Sequence, residues 1–126
     1  MRKQSIYRLI MLFTLFVLGI INMDAQESIN MHHAGSNGNH SEHYTPADAP
    51  EVYFDSDEME IIIEAEGFAG YYTVEVRFMS SGDPVIHTQI DGYGDTIDVS
   101  SLTAGYYQLV ITSEYNNVYI GYINIE

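Results

Sequence analysis

The sequence contains no cysteine, no tryptophan and only three prolines among its 126 residues. The lack of cysteine excludes disulfide bonds, thiolate metal sites, a cysteine nucleophile and the lipid-bearing cysteine of a lipoprotein. Small exported domains often depend on disulfides. A chain without them has to fold on its apolar core alone, and this length allows one domain.

Basic residues are scarce as well, with four lysines and arginines in total. Three of them lie within the first eight residues, ahead of an apolar run from Leu9 to Ile21, and Ala25 then offers a small residue for cleavage. This order is typical of a signal peptide, and the run is shorter than the about 20 residues of a comfortable membrane span. We predict a signal peptide over residues 1–25 and export to the periplasm, the cell surface or the medium. The alternative is an uncleaved anchor.

Cleavage would leave a strongly acidic mature chain. Of the 18 acidic residues only Asp24 would be lost, so 17 would stand against Arg77 alone, a formal charge of −16 with neutral histidines. Such a field repels nucleic acids and anionic lipid head groups. We therefore predict no nucleic-acid partner. We also predict no membrane span in the mature chain.

Residues 26–50 are polar and rich in turn-forming residues, which predicts a disordered leader. Four of the five histidines fall here: His32, His33, His40 and His43. Histidine-rich tracts can bind metal ions, but this spacing fits no closed site. We interpret the tract as a tail that merely contains histidines, and we predict no metal site and no cofactor.

From Glu51 onward, short segments alternate between apolar and polar residues and are separated by turn signals. Seven such segments fit into residues 51–126, with no helical period among them. Strands with one buried and one solvent-exposed face form two sheets that pack against each other through their buried faces, and seven strands suit an immunoglobulin-like β-sandwich. The last segment, Val118 to Ile125, is apolar on both faces and lacks the lysine or proline that protects an open edge. We expect it to lie at an edge, where it would support a homodimer, and the alternative is a central strand that neighbours cover on both sides.

A recurring pattern runs through residues 96–111, TIDVSSLTAGYYQLVI, in which Asp-x-Ser and Leu-x-Ala-Gly lead into Tyr-x-Leu-x-Ile. It resembles a Bacteroidetes family of small exported proteins of unknown function, which implies an immunoglobulin-like fold. The pattern is also similar, less closely, to the C-terminal sorting domain of the Por (type IX) secretion system. Neither resemblance implies catalytic residues. Tyr107 is predicted to be a buried ring that fixes a corner of the sandwich.

Tyrosines are the candidate binding residues, because exposed aromatic rings stack on sugars and anchor protein partners. The alternative is ordinary strand propensity, which also favours tyrosine. The candidates are Tyr53, Tyr71, Tyr106, Tyr119 and Tyr122.

Other constellations favour simpler interpretations. Asp91, Asp95 and Asp98 surround two glycines and could hold calcium, but Asp-Gly is a common hairpin signal, which favours a turn. His87 would need Ser100 or Ser101 beside it for hydrolase chemistry, and the alternation places it on a wet face. We therefore predict no enzyme. The sequence favours an exported, non-catalytic interaction module with a protein or glycan partner, and the alternatives are a carbohydrate- or cell-surface-binding accessory domain and a secretion-sorting domain.

Overall fold

A computed structural model describes residues 26–35 and 46–126. Within these two ranges the regular elements are β-strands, and no helix there is long and apolar enough to cross a membrane. The strands are β1 (Gln26–Ile29), β2 (His32–Gly35), β3 (Glu51–Asp55), β4 (Glu60–Glu64), β5 (Tyr71–Phe78), β6 (Pro84–Asp91), β7 (Gly94–Asp98), β8 (Gly105–Ser113) and β9 (Val118–Ile125).

The strands form two antiparallel sheets. A four-stranded sheet has the order β1-β3-β4-β7, and a five-stranded sheet has the order β2-β9-β8-β5-β6. The inner faces of both sheets contribute to one buried apolar cluster, so the predicted β-sandwich is confirmed. The seven predicted strands correspond to β3–β9. The count rises to nine because the leader adds two more.

The core follows from a side-chain period of two, which sends alternate residues to opposite faces of a sheet. In β5, for example, Tyr72, Val74 and Val76 are fully buried, whereas the residues between them are only half-buried. The same alternation places isoleucines, leucine and tyrosines of β4, β8 and β9 in the core: Ile61, Ile63, Tyr107, Leu109, Ile111, Tyr119, Ile123 and Ile125.

The prediction of a disordered leader is wrong for Gln26–Gly35 and for residues 46–50, which include the buried Asp48. Strand β1 pairs with β3 in one sheet, and β2 pairs with β9 in the other, so this segment crosses from sheet to sheet. Ile29 and Met31, at and just after the end of β1, pack against the core cluster. His40 and His43 lie outside the described residues, as does the predicted signal peptide.

Gly121 in β9 explains how so polar a segment can dock. A side chain at this position would place its Cβ about 2.5 Å from Sδ of Met31 and 2.8 Å from Cγ2 of Ile29. Because Gly121 has no side chain, the Met31 and Ile29 side chains can occupy the space beside its backbone. The leader is held by a fit to a distant strand, which its own composition does not reveal.

The prediction that the last strand forms an open edge is also wrong. Strand β9 lies between β8 and β2, and β2 pairs with its first half through Val118, Tyr119 and Ile120. The apolar residues on the outer face of that half are only half-buried. The two-faced apolar pattern thus belongs to a strand inside the sheet, and it gives no support for dimerisation through an edge.

Tyr107 forms the predicted corner. Its ring is 1% exposed, and its hydroxyl donates a 2.6 Å hydrogen bond to the carbonyl oxygen of Thr103, four residues upstream. This contact ties the segment before β8 to the core, as tyrosine corners do in other sandwiches.

A buried polar network fastens residues 46–50 to the five-stranded sheet. Asp48 is 5% exposed, and its carboxylate accepts hydrogen bonds from the Tyr119 hydroxyl at 2.6 Å and from Asn117 Nδ2 at 3.1 Å. Tyr72 donates a 2.7 Å hydrogen bond to the carbonyl oxygen of Asp48. Burial, together with the nearby Asp48 carboxylate, raises the pKa of Tyr72 to about 12, so this hydroxyl remains a donor.

The Asp48 carboxylate is kept ionised by its donors. Burial alone would raise its pKa, but hydrogen bonds from Ser113, Tyr119 and Asn117 outweigh burial and hold the pKa below the ordinary value of 3.8. A depressed folded-state pKa contributes stability above the unfolded-state value, and that stability is lost as the pH falls through the folded-state value.

Deletion of residues 26–35 is expected to lower the melting temperature by about 8 °C or more, because partial burial of Ile29 and Met31 contributes roughly 2 kcal/mol. Thermal unfolding followed by circular dichroism measures this. The variants Ser28→Ala and His32→Ala, at exposed positions of the same segment, should change the melting temperature by no more than about 2 °C. If the deletion variant had the same melting temperature as the full mature chain, the segment would not be docked.

Tyr107→Ala should cost about 3–5 kcal/mol, as large aromatic truncations in cores do. Tyr107→Phe removes only the hydroxyl and should cost about 1 kcal/mol. The neighbouring Tyr106→Ala, on the outer face, serves as the matched control and should stay within about 0.5 kcal/mol. Urea denaturation of the three variants provides the comparison, and equal costs for the two alanine variants would contradict the assigned faces.

Asp48→Asn should destabilise the domain by about 1–3 kcal/mol at pH 7, because a buried acceptor loses charge-assisted hydrogen bonds. The difference from the unsubstituted chain should shrink as the pH falls below about 4, because the carboxylate of the unfolded chain becomes protonated there while the native carboxylate, with its lowered pKa, becomes protonated only at lower pH. Urea denaturation between pH 7 and pH 2.5 measures that difference. A constant difference over this range would mean that Asp48 is not ionised in the native protein.

Candidate binding site

Large apolar side chains are exposed at two opposite ends of the sandwich. One group follows the loops that join β4 to β5, β6 to β7 and β8 to β9, and the other lies where β5 ends and β8 begins. Exposed fractions run from 37% at Phe78 to 74% at Tyr93. The loop-end group is Phe68, Tyr71, Tyr93 and Tyr115, and the other group is Phe78, Met79, Tyr106 and Tyr122.

Tyr106 and Tyr122 lie side by side on the outer face of the five-stranded sheet. Tyr106 in β8 pairs with Asn124 in β9, and Tyr122 is two residues before Asn124. Such diagonal neighbours on one face are about 7–8 Å apart, within reach of aromatic side chains. Tyr106 is 68% exposed and Tyr122 is 53% exposed. Both rings therefore present most of their surface to solvent at one place.

The two rings line a cavity of about 250 Å³ between β9 and the leader, which we call the Tyr106–Tyr122 cleft. A cavity of about 480 Å³ adjoins it, and the two share Glu27, Phe54 and Asn124 as lining residues. Together they form a groove that runs from the outer face of the five-stranded sheet along β1. Ligand pockets typically have volumes of about 300–1,000 Å³, so the groove is large enough for a small ligand.

The chemistry of the groove combines rings, amides and carboxylates. Tyr106 and Tyr122 offer flat apolar faces, Asn30 and Asn124 offer both donors and acceptors, and Glu27 offers a carboxylate. No lysine or arginine lines either cavity. Such a surface suits an uncharged ligand that can stack on a ring and exchange hydrogen bonds, whereas an anionic ligand would meet repulsion from Glu27.

The other predicted tyrosines do not join this site. Tyr53 is half-buried on the outer face of the four-stranded sheet, and its hydroxyl donates a 3.1 Å hydrogen bond to Glu51, which raises the pKa of Tyr53. Tyr71 is 40% exposed and belongs to the loop end.

Tyr119 as a binding residue is a wrong prediction. Its ring is 2% exposed, and its hydroxyl is bonded to Asp48. His33 of the leader packs against the ring, with the ring centroids 5.4 Å apart. Alternation in β9 turns Tyr119 to the face opposite that of Tyr122, which is the physical reason that the two tyrosines cannot share one surface.

Sequence reasoning missed the polar half of the cleft. Glu27 and Asn30 belong to the leader, which was expected to be disordered, and Asn124 carried no motif. The loop-end residues Phe68, Tyr93 and Tyr115 were also missed, because each stands in a turn where apolar alternation gives no signal. The available signal was an aromatic residue in a turn, outside any alternating segment that would bury it.

The acidic turns contain local hydrogen bonds. Asp91 accepts a bond from the Tyr93 amide at 2.8 Å, and Asp98 accepts one from the Ser100 amide at 2.9 Å. Hydrogen bonds from the Ser100 side chain and backbone also lower the pKa of Asp98. Such local hydrogen bonds are those expected of acidic residues in turns, the interpretation that the sequence favours over a calcium site. Within residues 26–35 and 46–126, no cluster of three or more histidine and acidic side chains could hold a metal ion.

The hydrolase constellation is not assembled either. His87 is exposed on β6 in the five-stranded sheet, where its Nδ1 lies 3.9 Å from a Glu75 oxygen. Ser100 and Ser101 follow β7, in the other sheet. The solvent-exposed position predicted for His87 is confirmed by its exposed side chain, and neither Ser100 nor Ser101 is placed in the same sheet.

Searches with protein-family profiles and against curated protein sequences find no match. Among solved structures, the chain is similar to a DUF3244 family protein with an immunoglobulin-like β-sandwich fold from Bacteroides vulgatus ATCC 8482, with a TM-score of 0.60 and 17% sequence identity. The match covers 80% of this chain and 99% of the other. It agrees with the resemblance, noted from residues 96–111, to exported Bacteroidetes proteins of unknown function. At this identity the likeness shows the fold: the chain is an immunoglobulin-like β-sandwich.

Proposed function

We propose that the chain is an exported, non-catalytic binding module whose ligand surface is the Tyr106–Tyr122 cleft. The observation that carries this proposal is the pairing of two largely exposed tyrosine rings with a cavity lined by amides. Exposed aromatic rings that gather at one place are typical anchors of binding surfaces. Export is supported by the signal-peptide pattern of residues 1–25, which lie outside the described residues.

The absence of catalysis is supported by the groups that line the groove. Glu27 and Glu126 both border the larger cavity, and both are exposed to solvent. A carboxylic acid that donates a proton at neutral pH needs an environment that disfavours its charge, which burial supplies. The buried Asp48 has the opposite character, because its donors favour the charged form and fix it in the fold.

A neutral glycan is the ligand class that these residues fit best. Sugar rings present C–H faces that pack on tyrosine, and their hydroxyls exchange hydrogen bonds with amides and carboxylates. The missing basic residues disfavour anionic polysaccharides. A protein partner remains the broader alternative for the same cleft, and a role in secretion sorting draws no support from the groove.

Affinity electrophoresis of the mature chain through gels that contain neutral or anionic polysaccharides tests the glycan proposal. Neutral polysaccharides should retard migration and anionic ones should not. Tyr106→Ala and Tyr122→Ala should each weaken binding about tenfold, the loss expected for an anchoring ring of roughly 1.4 kcal/mol. Tyr53→Ala, on the other sheet, is the matched control and should bind normally. Retardation that survives loss of both Tyr106 and Tyr122 would move the ligand surface elsewhere.

A further inference from the structure

The loop end carries a second set of exposed aromatic rings, separate from the cleft. We call Phe68, Tyr71, Tyr93 and Tyr115 the loop-end aromatics. Their exposed fractions are 56%, 40%, 74% and 60%, respectively. They stand on or beside three different connections, β4–β5, β6–β7 and β8–β9, which the topology brings to one end of the sandwich. In immunoglobulin variable domains, loops that cluster at one end of the sandwich form the binding surface.

The β4–β5 loop and the β6–β7 turn are joined by main-chain hydrogen bonds. The amide of Gly67 donates to the carbonyl oxygen of Gly92 at 3.0 Å, and the amide of Gly92 donates to that of Gly70 at 3.1 Å. The Ala65 amide reaches the carbonyl oxygen of Tyr93 at 3.1 Å. Three bonds thus fix the two connections to each other.

The β8–β9 turn is fastened to the same loop. The Glu114 amide donates to the carbonyl oxygen of Tyr71 at 3.3 Å, and the Glu114 carboxylate accepts a hydrogen bond from the amide of Gly70. Tyr115 follows directly after Glu114. All three connections are therefore held as one unit, which lowers the entropy cost of ordering them on a partner.

Tyr93 is also held in place by its neighbour. Gly67 has a φ of +78°, and a Cβ at this position would lie 2.7 Å from Cε1 of the Tyr93 ring. The ring consequently lies against the bare backbone of Gly67 while 74% of its surface stays in solvent. This packing fixes the orientation of an exposed ring against Gly67, the residue that precedes Phe68.

The acidic residues of the loop end indicate which kind of ligand its aromatic rings would bind. The loops carry the carboxylates Glu66, Asp91 and Glu114 and no basic residue. Arg77, the one arginine in residues 26–35 and 46–126, pairs with Glu75 farther along β5. Aromatic faces beside carboxylates that have no basic neighbour attract a cation in two ways, through the ring quadrupole and through the negative charge of the carboxylates. Guanidinium groups use both, because they stack flat on rings and bind carboxylates through two donors.

We propose that the loop-end aromatics form a docking surface for an arginine-bearing segment of a partner protein. A second copy of the chain is disfavoured as the occupant, because it would bring its own acidic loops and offer only an arginine that is already paired. The surface lies at the opposite end from the Tyr106–Tyr122 cleft and does not depend on it. The domain would then have two independent contact points, one at each end.

The test uses the mature chain and three synthetic peptides of the form (Gly-X)₄, with X as arginine, lysine or glutamate. Titration at 150 mM salt, followed by NMR of the aromatic ring protons, reports both affinity and place. The arginine peptide should shift the ring signals of Phe68, Tyr93 and Tyr115 and bind at least threefold more tightly than the lysine peptide. The glutamate peptide should cause no shift.

Substitutions separate this site from general attraction to an acidic protein. The combined variant Phe68→Ser, Tyr93→Ser and Tyr115→Ser should bind the arginine peptide at least tenfold more weakly. Tyr53→Ser, on the acidic face of the four-stranded sheet, and Tyr106→Ser, in the cleft, should bind it normally. Melting temperatures verify the folding of each variant, and the single variants Tyr93→Ser and Tyr115→Ser replace the combined one if that unfolds.

Several results would overturn the proposal. Equal binding by the loop variants and the controls would show attraction by net charge alone. Shifts of the same rings by a neutral polysaccharide, without any by the arginine peptide, would make the loop end a glycan site. A concentration-dependent dimer in sedimentation that the loop variants abolish would make it a contact between copies.

Discussion

The fold depends on one constraint: a small sandwich without cross-links has to bury both inner sheet faces completely. Alternate residues of β4, β5 and β8 are mostly apolar and buried, and the two sheets meet through these residues. A domain of this size buries only about 60% of the surface that its unfolded chain exposes. No disulfide compensates, so the open flank between β3 and β9 cannot stay uncovered. The leader closes it, with β1 against one sheet and β2 against the other.

This closure also explains how much of the fold could be predicted from the sequence. Alternation predicted the seven strands of residues 51–126, because their stabilising contacts repeat with the strand period. The leader strands have four residues each and a mostly polar composition. Their stabilisation comes from Ile29 and Met31 entering the space beside Gly121, 90 or more residues away in sequence. No local pattern encodes such a contact, and tertiary packing overrides weak propensity.

Because the leader was expected to be disordered, the position of β9 and part of the candidate site were also predicted wrongly. Apolar residues on both faces of Val118 to Ile125 were ambiguous between an open edge and an interior strand, and only the position of β2 decides between them. Tyr119 and Tyr122 could not both be exposed, because three residues of separation put them on opposite faces of a strand. Tyr106 and Tyr122 were predictable as outward residues. Their polar neighbours Glu27 and Asn30 were not, since the leader supplies them.

The distribution of charge gives the two exposed ends different chemistry. On the outer face of the four-stranded sheet, Glu51, Glu60 and Glu64 stand on β3 and β4 with no basic residue in either strand. The outer face of the five-stranded sheet instead has Glu75 balanced by Arg77. The proposed cleft borders this balanced face and is itself lined by Glu27, so it would favour a neutral ligand over an anionic one. The loop end joins the acidic turns, where a neutral ligand would leave the carboxylates unused and a cation would engage them. The two proposed sites would therefore select ligands of different charge, because the distance between the ends of a domain of this size exceeds the screening length of about 8 Å at physiological salt.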